Sequence, residues 1–263
     1  MRRHTVSLPM YDADRVAVQA WWRVLAAAIE AEGIEGAPPA LDWPADLDAH
    51  WRDPQLLLSQ TCGYPLVTGL RGVVQLVGAF RYTAPGCAGI AYRSELVVRG
   101  VEAGGSLADF RGRVAAINDP GSHSGCNALR GLVAPLAHDG RFFRQWVVSG
   151  SHRRSLEWVR SGRADIAAID CVTLAGLLRL RPDLLDGLRI VGSTPLAPGL
   201  PLVTAAATSA ADLARLRRAL SNACADPSCA PLREALFIDG FDVAEAALWQ
   251  PIDDVRALAT LLH

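Results

Sequence analysis

Hydrophobic positions along the chain follow two rhythms. Residues 15–32 carry Val18, Trp21, Trp22, Leu25, Ala28 and Ile29 at helical spacing and stop at Gly33, which predicts an amphipathic helix with both tryptophans in the core. Residues 5–8, 55–59, 73–80 and 89–93 are short apolar runs of strand length, separated by a loop-rich stretch at 38–54 and a Pro85-Gly86 turn. From residue 114 the rhythms alternate: strands at 114–117, 142–148 and 164–169, and helices at 124–138, 151–161 and 173–180. Such alternation predicts an α/β protein with a parallel sheet and crossover helices. Strands at 188–193 and 202–206, a helix at 210–222 and helical turns at 245–248 and 255–262 complete the chain.

In open sheets of this kind ligands sit beyond the carboxyl ends of the strands. One such end is Asn118-Asp119-Pro120-Gly121-Ser122-His123-Ser124-Gly125-Cys126-Asn127, where an apolar strand turns through small residues into a helix. A helix start presents backbone N–H groups and the positive end of the helix dipole, which together suit an anion. The hydroxyls of Ser122 and Ser124 can donate to oxygens that only accept, or they can simply cap the helix. A second start, Ser149-Gly150-Ser151-His152, adds an imidazole. If His152 binds as the imidazolium, affinity falls as pH rises through its ordinary pKa of ~6.5. Asp170 ends a further strand and either meets a ligand proton or ammonium or caps the helix near Thr173. Gln60-Thr61-Cys62-Gly63-Tyr64-Pro65 repeats the strand-end pattern, with a plain turn as the alternative.

Composition narrows the chemistry. The net charge is −1 and the pI about 6.6, with charges dispersed, which argues against a nucleic-acid partner. All 26 basic residues are Arg, so the Lys-dependent chemistries of Schiff bases, pyridoxal phosphate and Walker-type phosphate loops are excluded, and no cofactor is expected. No apolar run approaches the ~20 residues of a membrane span, so no membrane insertion is expected. The N-terminal Met1-Arg2-Arg3-His4 is followed by Asp12 and Asp14 before any long apolar run, a pattern without an export signal. Six cysteines at 62, 87, 126, 171, 224 and 229 match no paired zinc spacing and read as free thiols. Two other classes stay open. Ser124, His152 and Asp170, or Cys62 or Cys126 as nucleophile, would make a hydrolase, although no G-x-S-x-G elbow is present. Cys62, Cys126 and Cys171, with His123 and His152 near in sequence pattern, would make a soft-metal or thiol-ligand site without diagnostic spacing.

Four segments resemble one family: Ser7-Leu8-Pro9-Met10-Tyr11-Asp12, Leu58 through Pro65, Asn118 through Gly125, and Gly150-Ser151-His152 with Gly162 through Asp170. They are similar to the phosphate/phosphite/phosphonate type of ABC-transporter substrate-binding protein. The resemblance implies a two-lobe type II periplasmic-binding-protein-like fold with a cleft and two crossover hinge segments, near residues 88–92 and 191–204. Lobe I would comprise residues 1–88 plus 191–263 and lobe II residues 89–190. It implies reversible, non-catalytic binding of a small anionic ligand, phosphate- or phosphonate-like, by a monomer that partners ABC transporter membrane subunits. Ser122, Ser124 and His152 would hold the oxyanion, with His123 standing where the family often has a small hydroxyl residue. Thr61, Tyr11, Tyr64, Tyr92 and Asp170 would line the rest. The family implies a periplasmic location, and the missing signal leaves an intracellular sensor of the same fold as the alternative.

Overall fold

A computed structural model describes residues 4–260 and 262. Met1, Arg2 and Arg3, and residue 261 within the helical turn expected at 255–262, lie outside the described residues. Along the chain the strands are β1 (Thr5–Ser7), β2 (Leu56–Gln60), β3 (Val74–Tyr82), β4 (Ala91–Tyr92), β5 (Ser94–Arg99), β6 (Val114–Ile117), β7 (Gln145–Val148), β8 (Ile166–Asp170), β9 (Leu188–Ser193), β10 (Ala197–Pro198), β11 (Pro201–Ala205) and β12 (Ile238–Asp242). The α-helices are α1 (Arg15–Ala31), α2 (Leu47–Trp51), α3 (Gly63–Thr68), α4 (Ala128–Val133), α5 (His152–Arg160), α6 (Cys171–Leu180), α7 (Ala210–Ala225), α8 (Ala230–Ala235) and α9 (Gln250–Ala259).

The chain folds into two compact units. Among the described residues the first holds 4–83, 88–90 and 199–248 around a five-stranded sheet of order β1-β2-β11-β3-β12. β1 and β2 run parallel, while β11 and β12 join antiparallel to their neighbours. α1 buries the stripe expected of it: Trp21, Trp22, Leu25 and Ile29 are at most 1% exposed and pack with Leu58, Phe80, Leu202 and Leu220. Trp22 satisfies its indole by donating to the Pro38 carbonyl at 2.8 Å. Asp14 caps the helix by accepting from the Ala17 amide.

The second unit holds, among the described residues, 84–87, 91–198, 249–260 and 262, built on a sheet of order β7-β6-β8-β5-β9. β6 runs parallel to β7 and β8, as the strand-helix alternation predicts. β5 and β9 are antiparallel, and β5, absent from the sequence reading, bridges β8 and β9. Its core joins Leu96, Val98, Phe110, Leu129, Phe142, Phe143 and Ile166.

These boundaries differ from the division expected at residues 88 and 191. β9 belongs to the second unit because its backbone pairs with β5 from Glu95↔Ser193 to Arg99↔Leu188. The C-terminal α9 also belongs there: Asn127 donates to the Ile252 carbonyl and Arg130 to the Ala259 carbonyl. A Cβ on Gly131 would lie 2.5 Å from Val255 Cγ1, so α4 and α9 approach closely at that glycine. Hydropathy periodicity along one segment carries no record of which sheet its backbone will join.

Candidate functional site

In the second unit, β6 and β7 are parallel neighbours, so the segments that follow them leave the sheet at the same end. After Ile117 the chain turns through Ser122 into a single π-type turn, His123–Asn127, before α4 begins. The i→i−5 bond from the Asn127 amide to the Ser122 carbonyl, 3.0 Å, widens this start relative to an α-helix. After Val148 the Ser149 and Gly150 amides donate to the Ile117 and Asn118 carbonyls, which pins the start of α5 against the start of the π turn. Gly150 has φ +91°, a left-handed conformation that suits glycine.

This arrangement brings three expected residues together. Ser122 Oγ lies 3.4 Å from Ser124 Oγ, and Ser124 Oγ lies 3.0 Å from His152 Nε2. Ser122 also acts as the cap, accepting from the Gly125 amide at 3.2 Å, so the capping and hydroxyl-donor readings apply to the same side chain. Ser122 and Ser124 are 8% and 5% exposed. Burial pushes the His152 imidazole down to about 4, with the Ala168 carbonyl acting weakly the other way. The ring is therefore neutral at pH 7, and the imidazolium expectation with its turning point near 6.5 is corrected for the free protein.

His123, buried at 3% exposure, turns away to Asn127, whose Nδ2 lies 3.1 Å from His123 Nδ1. Desolvation pushes it down to about 4 as well. Tyr92 is buried edge-on against it, ring centroids 6.4 Å apart. Asp170 is 2% exposed, and its Oδ1 accepts from the Val172 amide at 2.8 Å and the Thr173 amide at 3.0 Å. It is the N-cap of α6.

Tyr11, Thr61 and Tyr64 belong to the first unit. Thr61 is fully buried and its hydroxyl donates to the Cys62 carbonyl. Tyr64 sits in α3 and not in a plain turn. Tyr11 packs edge-on against Tyr82 at 5.0 Å beside a cavity of about 30 Å³ that Gln60, Trp21 and Phe80 also line.

Several supporting residues escaped the sequence reading. Ser94 Oγ donates to the Ser124 carbonyl from β5 at 3.0 Å, and Ser149 Oγ, 2.7 Å from Ser155 Oγ, ties the α5 start together. A Cβ on Gly125 would fall 1.9 Å from Asn118 Oδ1 and 3.0 Å from His152 Cε1, so only glycine lets the turn approach His152. The signal available was the glycine after Ser124, whose reason is a contact distant in sequence.

Ser124 and His152 pair as a nucleophile and base would, but the third member of the sequence-level triad, Asp170, directs Oδ1 to the backbone of its own helix. Burial pushes the Cys126 thiol up to about 11, which keeps it protonated and poorly nucleophilic. Cys62 lies in the first unit and Cys126 and Cys171 in the second; among the described residues no group of three or more His, Cys, Asp or Glu is placed to hold a metal.

The fold is that of the two-lobe type II periplasmic-binding class. Residues 55–249 match the family model of the ABC transporter phosphonate periplasmic substrate-binding protein, and the chain belongs to that family. No match is found among curated protein sequences. Solved structures share the fold at low identity. PhnD1 of Prochlorococcus marinus in complex with methylphosphonate superposes with a TM-score of 0.77 at 13% identity, covering 99% of this chain and 98% of that one. A binding-protein component of an ABC phosphonate transporter from Pseudomonas aeruginosa gives 0.76 at 15% identity, covering 98% and 87%. A Xanthomonas citri protein bound to ATP gives 0.75 at 16% identity, covering 98% of both. Among the described residues no helix is long and apolar enough to cross a membrane.

Proposed function

We propose that this chain binds a small phosphonate- or phosphate-like oxyanion through Ser122, Ser124 and His152 and delivers it, as a periplasmic monomer, to ABC transporter membrane subunits. The observation that carries the reading is the hydrogen-bonded run Ser122 Oγ, Ser124 Oγ, His152 Nε2, assembled at two adjacent segment starts. These are neutral donors. They can each direct a proton toward one anion without a buried counter-charge, and hydrogen bonds to a charged group contribute about 1.5–3 kcal/mol each. Family membership supports the anion class, and Tyr92, His123 and Asp170 of the same unit then act as shaping residues, with Asp170 also capping α6.

Calorimetric titration with phosphate, phosphite, methylphosphonate and aminoethylphosphonate tests the reading. At least one should bind, and Ser124→Ala and His152→Ala should each weaken it at least ~10-fold while melting temperature changes little. Ser122→Ala should lose affinity and also cap stability, about 0.5–2 kcal/mol. If none of the four anions binds, or if the three variants melt earlier yet keep wild-type affinity, these residues are helix caps and the ligand belongs elsewhere.

A further inference from the structure

We propose that Cys87 and Cys171 form a thiol-oxidation site of the second unit, which a small disulfide oxidant closes into an intramolecular disulfide. Their Sγ atoms lie 3.6 Å apart although the residues are 84 positions apart in sequence. Two independent features of the backbone hold them there. Cys171 is the first residue of α6 and its amide donates to the Arg93 carbonyl at 3.1 Å, next to the Ser94↔Asp170 pair of β5 and β8. Cys87 ends a turn whose amide bonds back to the Ala84 carbonyl at 3.0 Å. Between them Gly86, at φ +101°, leaves room that no side chain could share: a Cβ there would stand 3.0 Å from Cys171 Cβ and 3.2 Å from Arg93 Nε.

The two thiols are unlike in a way that suits sequential exchange. Cys171 is 2% exposed, whereas Cys87 is only half-buried and is the sulfur an incoming molecule reaches. The Cys87 thiol donates a hydrogen bond to Cys171 Sγ, which pushes Cys87 up and holds Cys171, at the first position of a ten-residue helix, below its ordinary pKa. Cys126 and Cys224, by contrast, are pushed up by burial to about 11 and about 12.

The oxidant is a low-molecular-weight disulfide. Cys87 sulfur, its proton passing to the Cys171 sulfur that accepts its hydrogen bond, attacks the oxidant, forming a mixed disulfide and releasing one thiol; Cys171 sulfur then loses that proton and attacks Cys87 Sγ, expelling the second. The protein's two thiols lose two electrons and two protons, and the oxidant's S–S bond is reduced to two thiols. The sulfurs need only close from 3.6 Å to the roughly 2 Å of a bond.

The test is oxidation of the native chain with oxidised glutathione, alkylation of the remaining thiols, cleavage at Arg and mass spectrometry. The expected result is loss of two of the six thiols and a cross-link between the peptides 82–93 and 164–179. The oxidised protein should melt at a higher temperature than the reduced one, because the bridge restricts the unfolded chain, and a dithiol should reverse the shift. Cys87→Ser and Cys171→Ser should each abolish the cross-link, and Cys87→Ser, at the half-buried position, should melt as the reduced wild type does. The proposal is overturned if all six thiols persist under conditions that fully oxidise a free dithiol. A glutathione adduct on Cys87 that never resolves, or a bridge mapping to any other cysteine peptides, overturns it equally.

Discussion

At the scale of single residues, His123 and His152 decide how the second unit responds to pH. Both are pushed down to about 4 in the folded chain, against about 6.5 for an exposed imidazole. Between these values the unfolded chain binds a proton that the folded chain does not, so stability rises with pH there and is lost as pH falls from about 6.5 toward 4. Each histidine contributes a slope of about 1.4 kcal/mol per pH unit inside that window and none above it. Denaturant unfolding at pH 7, 6 and 5 should show the loss, and His123→Gln should remove about half of the slope even though it is less stable at pH 7. An unchanged slope in that variant would place the titration elsewhere. Asp170 is separable in the same manner: Asp170→Asn should keep the cap on Val172 and Thr173 and Asp170→Ala should cost about 0.5–2 kcal/mol. If Asp170→Asn instead weakens anion binding with stability intact, its carboxylate faces the ligand as well.

Among elements, the π turn at His123–Asn127 is where sequence and structure part most clearly. An α-helix from residue 124 is what the pattern predicts, yet the turn is wound by one extra residue and α4 starts only at Ala128. The cause is a set of tertiary contacts: Ser94 from β5 holds the Ser124 carbonyl, Asn127 reaches Ile252, and Asn118 fills the space over Gly125. Gly125→Ala would drive a methyl into Asn118 Oδ1 and should destabilise the unit by about 1–3 kcal/mol, with weaker anion binding as the turn shifts from His152. Asn118→Gly in the same chain should restore part of both, a positive coupling read from the double-mutant cycle. Strict additivity would show that the two residues do not meet.

For each unit as a whole, the C-terminal helix matters more than its position in sequence suggests. α9 is the last element described, yet Ile252 is fully buried and its carbonyl anchors Asn127, the partner of His123. Ile252→Ala should therefore destabilise the second unit by about 2–5 kcal/mol. It should also reduce anion affinity, measured calorimetrically below the melting transition, because the π turn loses its support. A variant that melts early but binds as wild type would separate α9 from the site.

How much of this was legible in the sequence follows from the range of each interaction. The amphipathic stripe of α1, the strand-helix alternation of the second unit and the serines and histidine at two segment starts depend on neighbours within a few residues, so periodicity and capping chemistry determine them. The family segments carry the same local record, which is why fold class and non-catalytic binding were readable from them. The tertiary structure alone decided that β9 and α9 join the second unit and that both histidines are neutral. These depend on backbone pairing and burial between segments tens to more than a hundred residues apart, and a desolvation energy exists only once the distant segments have closed around the group.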